Sequence, residues 1–175
     1  GFNPGSTLAL SGGFASLAAK VAVNTTLAAA AGAVGLTLLS KLRTGKYDTG
    51  LTLNGALGGL VAITAPCAVV DPWAAVVIGL IAAPIVMIGV EGLDRLGVDD
   101  PVGAVSVHGF AGVWGVLSVG LFASQSGIGE AYVASDTYGL FLGGGIEQLG
   151  IQALGAVTIA GWAIGRAVSW SSTTV

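Results

Sequence analysis

Residues 101–123 read PVGAVSVHGFAGVWGVLSVGLFA, and the reading of this stretch decides the fold. It carries no Asp, Glu, Lys or Arg, and it is long enough to cross a bilayer, which takes about 20 residues of helix. One residue disturbs it: His108, the only histidine of the chain. A titratable ring inside a membrane-spanning run is expensive, and such groups usually face a cavity, a proton relay or a substrate path.

The rest of the chain agrees with a membrane setting. Its 175 residues are 54% hydrophobic and 9% charged, with a mean hydropathy of +0.89, whereas soluble domains carry about 25% charged residues. We therefore expect an all-α integral membrane protein. The 30 glycines fit helices that approach closely in lipid, where the hydrophobic effect does not drive helix association. A net charge of -3 carries no nucleic-acid signature, and no nucleic-acid partner is expected. A single Cys67 excludes an intrachain disulfide and a cysteine-rich metal site. The chain opens at Gly1 without a Met, and Phe2-Asn3-Pro4 does not resemble a signal peptide. It reads as a fragment or a processed chain whose N-terminal portion is absent.

Five apolar spans follow one another, at about 18–42, 49–70, 72–93, 101–124 and 149–170. Antiparallel threading places Lys41, Arg43, Lys46, Arg95 and Arg166 on one side, five of the six basic residues. The other side receives Asp71, Glu130, Asp136 and Glu147, with Lys20 its one basic residue. The positive-inside rule makes the first side cytoplasmic and puts the C-terminus there. Residues 125–148 form the one long polar connection, and Gly143-Gly144-Gly145 in it suggests a tight or flexible turn. Residues 2–6 read as the end of a preceding helix that Pro4 and Gly5 would break.

Few side chains here can carry chemistry. His108 lies seven residues beyond Pro101, about 10 Å into the membrane from the cytoplasmic end. Its neighbours at helical spacing are Ala104, Val105, Ala111 and Gly112, so a partner must come from another helix. Two readings stand: a substrate or proton path, and an imidazole bonded to a neighbouring helix as packing glue. A lone histidine cannot supply the three or four ligands of a metal centre, and no cofactor is expected. Asp100 reads as a helix cap ahead of Pro101. Thr64, Pro66 and Cys67 interrupt the second span, and the carbonyls freed there are either functional or satisfied by neighbours. Glu91 reads as reaching the interface. Thr25, Thr26 and Ser118 read as interhelical hydrogen-bonding groups, Trp114 as core, and Trp73 and Trp170 as interface anchors. No nucleophile elbow, phosphate loop or metalloprotease motif is present.

At residues 99–115, DDPVGAVSVHGFAGVWG, the chain resembles the ammonium transporter (Amt/Rh) family, on its Amt side. The opening GFNPGS (1–6), the pair Asn24-Thr25 and the run LNGALGGLVAIT (53–64) resemble further motifs of the same family, in the same order. The resemblance covers essentially the whole chain, as the C-terminal half of that fold. It implies an eleven-helix transporter of two inverted five-helix repeats, assembled as a homotrimer. The spans here would then be its seventh to eleventh helices and the opening segment the end of its sixth.

The resemblance also implies roles. His108 would be the second of two touching pore histidines, the first belonging to the missing N-terminal half of the same protein. Phe2 would be one of two stacked phenylalanines gating the pore from outside. Ser6 would help receive ammonium at the outer vestibule, Thr64 would stand near the pore, and Asp100 at the inner end of the pore helix. The implied function is ammonium/ammonia transport, not enzyme chemistry, in a plasma membrane or a bacterial or archaeal inner membrane. A PII-type regulatory protein would be a partner at the cytoplasmic face.

The physics of such a pore is coherent. A bare ammonium ion in a dry apolar channel would be costly to hold. A vestibule can bind it by cation–π contact and a hydroxyl. Deprotonation would let neutral ammonia pass while paired imidazoles relay the proton. Potassium has no proton to lose. The alternative is an ammonium sensor, the same fold binding ammonium without flux. An intramembrane enzyme using His108 as a base would need a nucleophile or metal partner that no residue here provides. Two departures stand out: Gly103 occupies a position where some members carry an acid near the inner mouth, and the loop after Ala123 is longer than the family's usual one. The sequence stops at Val175; the cytoplasmic extension by which many members meet the regulator is something the resemblance implies. The resemblance implies that these 175 residues hold half of the pore and would not transport alone.

Overall fold

A computed structural model describes residues 1–130 and 138–173; every regular element among those residues is a helix, and none is a strand. A short helix α1 (Phe2–Gly5) is followed by α2 (Gly13–Thr44), α3 (Thr49–Thr64) and α4 (Pro72–Arg95). A π-helical turn (Val105–Phe110) then runs directly into α5 (Ala111–Phe122). A short α6 (Gln125–Glu130) and a 3₁₀ turn (Leu140–Leu142) precede the last helix, α7 (Glu147–Thr173). Four segments are long and apolar enough to cross a membrane: Gly13–Thr44, Pro72–Arg95, Val105–Phe122 and Glu147–Ala167. Asp136, expected on the acidic side, lies outside the described residues, as do the side chains of Glu130 and Trp170.

Several boundaries have local causes. Gly45 ends α2 in the left-handed conformation (φ 73°), and its N–H caps the carbonyl of Lys41. Asp48 then caps α3, accepting from the N–H of Leu51 at 2.9 Å. The second span was expected to reach residue 70; α3 stops at Thr64 after 16 residues. Pro66 has no N–H to continue the ladder, and residues 65–69 form turns closed by Val69 and Val70 N–H bonds to the Pro66 carbonyl. The fourth span begins with a π-turn where an α-helix was expected. The carboxylate of Asp100 caps that turn, accepting from the N–H groups of Val105 and Ser106, both at 3.2 Å, and from the Ser106 hydroxyl at 3.1 Å.

Small residues set the helix packing. A Cβ on Gly32 would strike the carbonyl of Gly55, and one on Gly59 would strike that of Ala28, so α2 and α3 touch backbone to backbone in antiparallel sense. On its other side Ala28 meets Gly79 of α4. A Cβ on Gly115 would lie 2.5 Å from the carbonyl of Ala62, which seats α5 against α3. Such close approach replaces the hydrophobic drive that lipid cannot supply. The buried core, with Ala28, Leu36, Ile63, Ile78 and Val86 at 0% exposure, lies between α2, α3 and α4. α7 stands outside it and contacts the bundle where Leu149 meets Gly120. Its Ile151, Leu154, Val157 and Trp162 remain exposed.

Polar groups find partners close by. Arg43 at the end of α2 pairs with Glu91 of α4 at 2.9 Å, and Arg95 approaches the same carboxylate at 3.9 Å, so Glu91 is an ion-pair partner as well as an interfacial charge. Thr26 and Ser118, expected to bond between helices, donate instead to the carbonyls of Ala22 and Trp114 one turn back on their own helices, both at 2.8 Å. A hydroxyl satisfied in this way needs no second helix. Trp114 packs on the core and donates Nε1–H to the carbonyl of Ile78 at 3.0 Å. Phe122 meets Trp73 edge-on at 5.9 Å and tilts against Phe141 at 5.4 Å. This cluster ties α4, α5 and the 3₁₀ turn together at the Asp71 end of the bundle.

Candidate functional site

Along one side of α3 and α5 lies an open cavity of about 630 Å³. α3 contributes Leu57, Leu60, Val61 and Thr64, the i, i+3, i+4, i+7 spacing that places four side chains on one helix face. α5 and its π-turn contribute His108, Gly112 and Val116, at intervals of four. Phe2 and Asn3 of α1 and Thr25 of α2 close one end, beside Thr64 and Ala65. Three residues singled out by the sequence, Phe2, Thr64 and His108, are thus gathered at one surface. The other two stand elsewhere. Ser6 is exposed, with its hydroxyl donating to the Phe2 carbonyl at 3.1 Å, and does not line the cavity. Asp100 caps the π-turn rather than reaching the cavity.

The wall is apolar apart from a few groups. His108 is exposed on it and has no hydrogen-bond partner among the described residues. Its position on a π-turn is informative, since single π-turns shift the face that a helix presents and recur at functional sites. From the level of Thr64 to that of Leu57 the wall descends about 10 Å, so the mouth and the imidazole are separated by an apolar shaft. Thr64 donates its hydroxyl hydrogen to the Leu60 carbonyl at 2.7 Å, which leaves the oxygen lone pairs free to accept. Asn3 is buried and donates Nδ2–H to Thr25 Oγ1 at 3.1 Å, so α1 is pinned to α2 beside the exposed Phe2 ring.

Below the imidazole, Asp100 lies outside the apolar wall. Partial desolvation pushes its carboxyl up, but hydrogen bonds from Val105 N–H, Ser106 N–H and hydroxyl, and Ala104 N–H outweigh this and hold it below the usual carboxylate value. Gly103 has φ +69°, and a Cβ there would lie 2.8 Å from Asn54 Nδ2. Backbone and space both select glycine at this point. Among the described residues no three His, Cys, Asp or Glu side chains gather as metal ligands would.

The sequence did not single out Asn3, Leu57, Leu60, Val61 or Val116 as part of the site. The helical stripe of residues 57, 60, 61 and 64 and the interval of four from His108 to Val116 were the available signals. Both were masked because every face of these helices is apolar or small.

Helices long and apolar enough to cross a membrane, packed beside an apolar cavity with polar groups at one end, define the class of helical membrane proteins. The chain belongs to the Ammonium Transporter Family, whose sequence profile matches residues 1–174. It is 54% identical over 126 residues to ammonium transporter Amt2 of Archaeoglobus fulgidus, covering 72% of this chain and 26% of that protein. It is 42% identical over 172 residues to ammonium transporter 1 member 1 of Oryza sativa subsp. japonica, covering 93% of this chain and 34% of that one. Among solved structures it superposes on a sensor Amt protein with a TM-score of 0.80 at 36% identity, over 97% of this chain and 38% of that chain. It also superposes on the G343C mutant of Candida albicans Mep2 with a TM-score of 0.78 at 32% identity, over 83% and 32%. The chain therefore spans about a quarter to a third of the length of the curated relatives it matches. Those relatives are named as transporters, not enzymes.

Proposed function

We propose that the cavity is one wall of an ammonium/ammonia pathway and that the protein moves ammonium across a plasma membrane or a bacterial or archaeal inner membrane. The observation that carries this reading is the gathering of Phe2, Thr64 and His108 on one cavity wall, although 106 residues separate the first from the last. At the mouth, the Phe2 ring, 81% exposed, offers a π-face to a cation and the Thr64 oxygen offers lone pairs to its N–H groups. Farther in, the shaft is too apolar for a bare cation, so ammonium gives up a proton before it passes. His108 is the group on this wall that can carry that proton.

The open side of the cavity is closed by the other half of the family's fold, which supplies a second imidazole against His108. Ser6 belongs to the outer vestibule rather than to the shaft, and Asp100 stabilises the inner end of the pore helix. The Lys41 end faces the cytoplasm, as its basic residues favour, with the C-terminus on that side. There a PII-type regulator docks, and three copies assemble in the bilayer.

The test is current and uptake by the intact protein in liposomes under an ammonium gradient, beside His108→Ala. Selective ammonium flux that the variant loses or makes unselective supports the reading. Full, selective transport by His108→Ala counts against it. Tight ammonium binding without flux would mean a sensor on the same fold.

A further inference from the structure

We propose that Asn24 is a positioning residue for the mouth of the cavity, acting on Thr64 through the backbone of the turn between α3 and α4. The inference rests on the transport reading above.

Asn24 has 0% exposure and is no part of the cavity wall, so it does not meet whatever passes. Its Nδ2 donates two hydrogen bonds, to the carbonyls of Cys67 and Val70, both at 2.9 Å. Those carbonyls belong to the turn where Pro66 breaks the helix, and at membrane depth freed carbonyls need a donor. One amide supplies both. Its Oδ1 is buried with no partner among the described residues, a cost without compensation at that atom. The side chain is therefore suited to its two donors, and its acceptor is left idle.

The turn held in this way starts at Ala65 and directly follows Thr64, the last residue of α3; both lie on the cavity wall. The next residue of α2, Thr25, accepts from Asn3 and thereby fixes the segment bearing Phe2. Consecutive residues of one helix thus hold two parts of the mouth: Asn24 the turn that follows Thr64, and Thr25 the segment bearing Phe2. Loosening the Asn24 clamp lets Thr64 drift relative to Phe2, which weakens capture of the cation at the mouth and leaves the shaft beside His108 intact.

The test compares ammonium uptake by the intact protein in liposomes with that of two variants, each checked for folding by size-exclusion elution and thermal melting. Asn24→Leu has similar bulk and donates nothing; Asn24→Asp has the same shape and at most one proton to donate. The half-saturating ammonium concentration is expected to rise about tenfold in Asn24→Leu and about threefold in Asn24→Asp, with maximal flux per folded molecule within twofold. Ser40→Ala, at the far end of α2, removes another buried polar group and serves as control. It should lower the melting temperature without moving half-saturation. Thiol labelling of Cys67, followed by peptide mass spectrometry, should quicken in both Asn24 variants and not in Ser40→Ala. If Asn24→Leu fails to fold, Asn24→Asp decides. Wild-type half-saturation and wild-type Cys67 labelling in either folded variant overturn the proposal, as does an equal shift in Ser40→Ala. Absence of flux in the unaltered protein overturns the transport reading instead.

Discussion

His108 and Asp100 are eight residues apart and illustrate two ways of placing a polar group near an apolar shaft. The imidazole stays uncommitted on the cavity wall, whereas the carboxylate is spent on backbone N–H groups. Since its pKa is lowered in the folded state, Asp100 adds stability that is present above its unfolded value, about 3.9, and is lost as pH falls through the lower folded value. Asp100→Asn should lower the melting temperature by about 2–4 °C at pH 7. The gap to the wild type should narrow as pH falls from 7 down through the carboxylate range; thermal melts along that series check this. Asp100 was readable as a cap from the Asp-Asp-Pro order alone, and His108 was readable from its isolation in an uncharged run. Asn24 was not, because its partners are backbone carbonyls 43 and 46 residues away, and no residue type announces a freed carbonyl.

Among the helices, α2 and α3 are joined most intimately, with Gly32, Gly55, Gly59 and Ala28 in backbone contact. Their stability depends on the absence of side chains rather than on any particular contact. Gly59→Val would drive two methyls into the Ala28 carbonyl and force the helices apart, at a cost of about 1–3 kcal/mol. Cavity-lining Thr64 would shift with them, so detergent melting and ammonium uptake should both fall. Gly92, which a Cβ would leave in open space, is the control position, and Gly92→Ala should leave both unchanged. The long helices were legible from apolar length; α7 runs over Glu147–Thr173. The early end of α3 was only half legible: Pro66 signals a break, but whether the chain kinks and continues or turns away depends on a donor from α2. The π-turn was not legible, since residues 105–110 carry no pattern that separates a π-turn from an α-turn.

At the scale of the molecule, the described residues close one side of the bundle by packing and leave the His108 wall open on the other. A path open along its length cannot exclude water or potassium. The isolated 175-residue chain in liposomes should therefore show no selective ammonium current, whereas the intact protein should. Selective current from the isolated chain would mean that copies of it complete the path. Apolar length, the rarity of charge and the ordered motifs were enough to establish a helical membrane protein of this family, because bilayer thickness and the burial of backbone polar groups leave few other structures open to such a chain. Which residues share the cavity, which carbonyls Asn24 satisfies and where α3 ends were settled by helix packing. Each depends on distances between segments far apart in the chain, and in an almost uniformly apolar sequence those distances leave no periodic trace.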